Sequence, residues 1–130
     1  MNERLLLDTH TLIWWWLDDP ELSQAARDAI GDTRYESYVS AVSAYEIALK
    51  VKAGRMPGMV ELLSQYAEAA SQDGLLQLPL RYDHAREAGL LPLTHRDPFD
   101  RMIAAQALIE RMTVVTCDQQ FAEFGCKVIW

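Results

Sequence analysis

Arg4-Leu5-Leu6-Leu7-Asp8-Thr9-His10-Thr11 is the stretch from which the fold can be read. A short apolar run without polar alternation is the pattern of a strand buried on both faces, as in a parallel sheet covered by helices. The run stops at Asp8, and the polar segment Asp8 to Thr11 can cap a helix over Leu12 to Leu17. A strand that ends in a carboxylate and passes directly into a helix puts that acid at the carboxyl edge of the sheet. That edge is where open α/β proteins build their sites.

The same pattern recurs along the chain. Ser23 caps a short helix reaching Ile30, ended by Gly31-Asp32. Tyr38-Val39-Ser40 reads as a second strand, and Ser43 to Ala53 as a helix closed by Gly54. Met59 to Asp73 carries helical periodicity through Val60, Leu63, Tyr66, Ala67 and Ala70 and stops at Gly74. Leu75 to Leu78 is a third strand, followed by a helical turn from Tyr82 to Ala88. Asp97-Pro98 opens a helix running to Arg111, with Asp at the N-cap and Pro at the first helical position. Thr113 to Thr116 is a fourth strand, and Val128-Ile129 a short fifth. This alternation predicts an α/β/α sandwich around a mostly parallel sheet of four or five strands, with residues 1–130 forming one domain.

Composition narrows the class. Of 130 residues, 50% are hydrophobic and 24% charged, which excludes a disordered chain and is enough for a core without disulfide staples. The longest apolar candidate, Thr11 to Leu17, falls far short of the roughly 20 residues a membrane span needs. Met1-Asn2-Glu3-Arg4 leads into the first strand without a signal-peptide pattern. Cys117 and Cys126 match neither a disulfide framework nor, with the three histidines, a zinc spacing. The expectation is a cytoplasmic protein with reduced thiols and no membrane segment. The net charge, 12 − 19 = −7, argues against a broad basic surface gripping duplex DNA. It leaves room for a nucleic-acid enzyme whose carboxylates gather around cations.

The acids fall in places that suit the second case. Asp8 follows the first strand, Asp118 follows the fourth, and Asp97 and Asp100 open the helix before it. Glu46 lies in the first two turns of the helix after the second strand. Each has a local explanation: Asp8, Asp97 and Asp118 can cap helices or turns, and Glu46 can pair with Lys50 at i, i+4. Capping is the main assignment for Asp97, which leaves Asp100 the better ligand. Local roles do not explain why four segments deliver acids to one rim. Two carboxylates about 5 Å apart repel by roughly 3 kcal/mol at an effective dielectric of 20. Four together would repel by on the order of 10–20 kcal/mol, more than a domain's whole stability. Some acids must then keep protons, or divalent cations must occupy the site. An all-oxygen ligand set favours Mg²⁺ or Mn²⁺ over zinc.

Four segments in order carry a family likeness. They are Leu5-Leu6-Leu7-Asp8-Thr9-His10, Ser40-Ala41-Val42-Ser43-Ala44-Tyr45-Glu46-Ile47, the run from His95-Arg96-Asp97-Pro98-Phe99-Asp100-Arg101 to Ala107, and Val115-Thr116-Cys117-Asp118. The chain resembles a PIN-domain ribonuclease, specifically a VapC-type toxin of a type II toxin–antitoxin system, over essentially its whole length. The resemblance matches the family's four core acids to Asp8, Glu46, Asp100 and Asp118, and Asp97 to an extra acid of one branch. It implies metal-dependent endonucleolytic cleavage of RNA, neutralisation by a cognate VapB-type antitoxin, and pairing as a homodimer. In that chemistry Asp8, Asp100 and Asp118 would hold Mg²⁺ or Mn²⁺, and Glu46 would orient or deprotonate the attacking water. Thr11 or Ser43 could position a water or phosphate oxygen, unless they serve as N-caps. Arg96, Arg101, Lys50 and His10 could supply positive potential for the RNA backbone. The alternative is a catalytically silent PIN-like module that binds RNA or antitoxin. A phosphorylatable receiver domain would need a second acid beside Asp8 and a Lys after the last strand. An aspartyl-phosphate phosphatase would need an Asp where His10 stands.

Trp14-Trp15-Trp16 cannot all face one core, because successive helical residues turn about 100°. At least one is therefore expected at a dimer or antitoxin surface, with a second face of the protein's own core as the other possibility. Met56-Pro57-Gly58-Met59 reads as an ordinary turn or a loop edge touched by a partner.

Overall fold

A computed structural model describes residues 3–130. Five strands, β1 (Glu3–Leu7), β2 (Tyr35–Ser40), β3 (Leu76–Leu78), β4 (Thr113–Val115) and β5 (Val128–Ile129), form one sheet in the order β3-β2-β1-β4-β5. All four pairings are parallel, so every connection must cross a face of the sheet. Helices α1 (Thr9–Leu17) and α2 (Gln24–Gly31) join β1 to β2. Next come α3 (Ala41–Lys52), a 3₁₀ turn over Pro57–Met59, α4 (Val60–Ser64) and α5 (Tyr66–Gln72), leading to β3. The chain then returns through α6 (Tyr82–Leu90) and α7 (Pro98–Glu110) to β4, and α8 (Gln120–Glu123) precedes β5. The expected sandwich is present, and no helix of the described residues is long and apolar enough to cross a membrane.

The central strand behaves as its unbroken leucines predict. Leu5 and Leu7 enter one core with Leu12, Ile13, Val39 and Val115; Leu6 enters the other with Ile103, Ala104, Val114 and Phe121. All three leucines are fully buried. The two cores clamp β1 from both sides, and this fixes which residues end at the carboxyl edge.

Three local expectations shift. The second strand begins at Tyr35, three residues before Tyr38, because Glu3–Leu5 of β1 offers pairing partners for Tyr35–Ser37. The long helix expected from Met59 to Asp73 breaks at Gln65, where φ is −117° and ψ 25°. There the Ser64 hydroxyl donates to the Glu61 carbonyl at 2.7 Å, competing with the helix ladder. Asp8, one of the expected caps, and not Thr11, caps α1, and Ser40 in place of Ser43 caps α3. Ser40 accepts from the Val42 amide and donates to Gln106 Oε1 on α7 at 2.6 Å.

The three tryptophans are all half-buried and packed on the first core, so the partner surface expected for one of them is not required. The indole N–H groups of Trp15 and Trp16 both donate to Asp73 Oδ2, at 3.0 and 3.2 Å. Trp16 meets Tyr66 edge-on with centroids 5.2 Å apart, and Trp14 lies 5.8 Å from Trp130. A single carboxylate after α5 thus accounts for two indoles that helical geometry alone would leave exposed. Met56 to Met59 is an ordinary turn, anchored by the buried Met59. Both cysteines are free, and Cys126 is buried against α7.

Truncating Leu6 removes a side chain from the middle of the second core without disturbing the acids. Leu6→Ala is expected to lower stability by about 2–5 kcal/mol, read as a shift of the urea midpoint. An unchanged midpoint would show that β1 is not clamped as described.

Candidate active site

The register between β1 and β4 builds the centre of the site. Leu7 pairs with Val115, so Asp8 and Thr116 leave the sheet side by side at its carboxyl edge. The Asp8 amide donates to the Val115 carbonyl at 3.2 Å, extending the ladder by one bond. Asp8 also caps α1, its Oδ1 accepting from the Thr11 amide at 2.8 Å. Its Oδ2 accepts from the Thr116 hydroxyl, whose oxygen in turn accepts from the Asp118 amide at 3.0 Å. One hydroxyl therefore ties the acid after β1 to the acid after β4. Asp118 Oδ1 accepts from the Gln120 amide at 2.9 Å, the turn-capping role expected of it, which leaves Oδ2 for other partners.

Asp100 arrives from α7. Asp97 is the N-cap, accepting from the amides of Phe99 (2.9 Å) and Asp100 (3.2 Å), so it serves the helix, as the Asp-Pro start predicted. Asp100, one turn in, is free of capping. Its Oδ2 lies 2.9 Å from His95 Nε2, which is 3.9 Å from Asp118 Oδ2. Potential ligand atoms of His95, Asp100 and Asp118 all lie within 4.8 Å of one another.

His95 was not anticipated. An imidazole, outside the all-oxygen donor set inferred from the acids, stands between these two carboxylates. The residue lies in the quoted motif, five positions before Asp100, but nothing local predicts where the loop between α6 and α7 points. Arg101 decides that. Its buried guanidinium donates to the carbonyls of His95 (2.9 Å), Pro92 (2.6 Å) and Leu91 (2.7 Å), with a longer bond to Gly89 (3.4 Å). Arg101 is thus turned into the protein and cannot serve as the phosphate-binding cation considered from sequence. It pins the His95 loop to the helix that carries Asp100.

The remaining candidates sort by geometry. Glu46 is buried on α3, with Oε2 2.9 Å from Lys50 Nζ and Oε1 buried without a hydrogen-bond partner. One turn before it, Ser43 Oγ lies 2.9 Å from Thr9 Oγ1, the residue next to Asp8, which sets the start of α3 against the start of α1. Ser43 and Thr11 are fully buried, and the Thr11 hydroxyl donates to the Val115 carbonyl at 2.7 Å. Thr11 holds a backbone carbonyl and Ser43 the Thr9 hydroxyl; neither presents a hydroxyl to solvent. Arg96 and His10 are exposed, and Arg96 makes no ion pair among the described residues. Thr116, buried and bridging, is the second residue that sequence reasoning passed over.

Crowding and burial leave an electrostatic mark. The Asp100 carboxyl is pushed up to about 6, chiefly by burial; the His95 hydrogen bond opposes this, and the charges of Asp97 and Asp8 add to it. Burial also raises Asp8, against the lowering effect of the Thr116 and Thr11 hydrogen bonds. The donor set and the unpartnered Glu46 oxygen suit a divalent cation, which would relieve the cost of holding these groups ionised.

A PIN domain model matches residues 5–126, almost the entire chain. The chain belongs to the PIN domain family. A relative, "Ribonuclease VapC22" from Mycobacterium tuberculosis, is 28% identical over 127 residues, covering 89% of this chain and 88% of its own length. Among solved structures, the DNA-bound VapBC from Salmonella typhimurium is similar at a TM-score of 0.69 and 23% identity, covering 98% of this chain and 97% of that one. VapBC2 from Rickettsia felis, bound to a promoter DNA fragment, gives a TM-score of 0.69 at 15% identity, covering 96% of both chains. Asp8, Glu46, Asp100 and Asp118 all lie inside the PIN match.

The Asp100 shift carries a pH signature. Its folded pKa, about 6, lies above its ordinary value of 3.8, so protonation favours the fold. That contribution is complete below about pH 4 and is lost as pH rises through about 6. Asp100→Asn is therefore expected to stabilise the metal-free protein by about 1–2 kcal/mol at about pH 7.5 and by much less at about pH 4.5. Thermal unfolding in chelator at both pH values checks this. A variant no more stable than the parent at the higher pH contradicts it.

Proposed function

We propose that this PIN protein is a metal-dependent endoribonuclease toxin of the VapC type, held in check by a VapB-type antitoxin. The observation that carries the reading is the convergence of Asp8, Asp100 and Asp118 on one edge, two of them joined through Thr116. Its support from relatives is the ribonuclease named above and the likeness to toxins solved in VapBC complexes. Pairing as a homodimer belongs to the same reading.

A bound Mg²⁺ or Mn²⁺ supplies Lewis-acid activation of water and neutralisation of the scissile phosphate. Asp8, Asp100 and Asp118 are the residues that would hold it. Thr116 fixes the Asp8 carboxylate, and the Asp8 amide is fixed by the Val115 carbonyl, so the first acid needs little reorganisation. Glu46, with one oxygen on Lys50 and the other unpartnered, would accept a proton from, or orient, the attacking water. Lys50 keeps that carboxylate from turning away. Arg96 and His10, exposed beside the acids in sequence, are the candidates to meet backbone phosphates.

The decisive experiment is cleavage of RNA by purified protein with Mn²⁺ or Mg²⁺, with and without chelator. Asp100→Asn and Asp118→Asn are expected to lower the rate by about 100-fold or more while the circular dichroism spectrum is unchanged. Chelator is expected to abolish cleavage in the parent. Full activity of Asp100→Asn, or activity indifferent to chelator, would overturn the reading. A parent that binds RNA but never cleaves it would favour a silent binding module.

A further inference from the structure

We propose that His95 is itself a ligand of the divalent ion, giving a mixed nitrogen–oxygen site with Asp100 and Asp118 that takes Mn²⁺ in preference to Mg²⁺. This rests on the metal-dependent reading above and adds to it a residue that the four-acid pattern does not contain.

The geometry points to ligation more than to a simple carboxylate–imidazole hydrogen bond. His95 Nε2 faces two carboxylate oxygens from different elements, at 2.9 Å on α7 and 3.9 Å after β4. Donor atoms around one six-coordinate ion with bonds of about 2.1 Å lie about 3.0 Å apart when adjacent and about 4.2 Å apart when opposite. The three atoms span at most 4.8 Å, which small adjustments bring within one coordination sphere. The imidazole is also held in place from both ends. Arg101 fixes its carbonyl, and its ring packs on Phe124 with centroids 5.8 Å apart. The ring is only 16% exposed, so its nitrogen is directed at the carboxylates rather than spread over solvent. Burying an arginine against four carbonyls to fix one loop is an expensive arrangement for a side chain that merely lies on the surface. An imidazole donor then shifts preference, because Mg²⁺ favours oxygen and binds nitrogen poorly, whereas Mn²⁺ and later ions accept it.

The test is magnetic resonance of Mn²⁺ bound to the whole protein, with cleavage measured separately. Titration followed by loss of the free Mn²⁺ signal gives the affinity. Spin-echo modulation reads directly bound nitrogen, and ¹⁵N-histidine labelling assigns it to an imidazole. The expected result is a histidine nitrogen coupling in the parent, kept in His10→Ala and lost in His95→Ala. Mn²⁺ affinity should fall by about tenfold or more in His95→Ala, with a smaller loss for Mg²⁺. Mn²⁺ bound without nitrogen coupling in the parent overturns the ligand assignment, whether or not the variant folds, and leaves the nuclease reading standing. A parent with nitrogen coupling but no RNA cleavage supports the site and defeats the nuclease reading alone. A parent that binds no Mn²⁺ overturns both.

Discussion

The pairing of Leu7 with Val115 across β1 and β4 sets everything at the carboxyl edge. It makes the next residues, Asp8 and Thr116, neighbours, and the Thr116 hydroxyl can then donate to one acid and accept from the amide of the other. A one-residue slip would break that bridge. It would also turn Leu5 and Leu7 toward the core that Leu6 fills, because side chains alternate along a strand. The two cores on either side of β1 therefore enforce the register that the site needs. Packing energy and site geometry are not separable here: the leucines that stabilise the sheet also aim Asp8.

Burial of the acids works against that stability. A carboxyl raised to about 6 is destabilising once ionised, and Asp100 is placed where Asp97 and Asp8 make it worse. The arrangement is tolerable because the charges are spread over elements with separate supports. Asp97 is tied to amides of its own helix, Asp118 to the Gln120 amide, and Asp8 to Thr11 and Thr116. Of these four aspartates only Asp100 has no backbone donor on its carboxylate, and it is the one left facing an imidazole. The repulsion is smaller than four mutually adjacent carboxylates would give, since the tightest group holds two acids and one histidine.

Local chemistry made much of this legible in the sequence. The unbroken leucines of β1 revealed a doubly covered strand, and the Asp-Pro start marked α7 to the residue. What stayed hidden depended on particular side-chain contacts, some distant in the chain and some local. Asp73 meets two indoles nearly sixty residues away, so Trp15 and Trp16 read as candidates for a partner surface. Ser64 broke a helix that apolar periodicity alone would have carried through. Arg101 looked like a free cation because charged residues usually are; its four carbonyl partners lie in a loop whose path no pattern encodes. His95 followed Arg101 into obscurity, since its position is set by the same guanidinium.

The charge balance bears on how such a protein meets a polyanion. At −7 it repels RNA at long range, and two of the cations considered from sequence are committed: Arg101 to carbonyls, Lys50 to Glu46. Arg96 and His10 remain exposed, and of the four basic residues considered from sequence only these two are free to meet phosphates. On the nuclease reading, a bound cation would add attraction at the scissile phosphate by offsetting the local charge that the acids impose. Substrate affinity would then rise with metal occupancy. Any residue that held the ion would on that reading bear on the binding of RNA as well as its cleavage, and the carboxylates of a site without metal would repel the substrate.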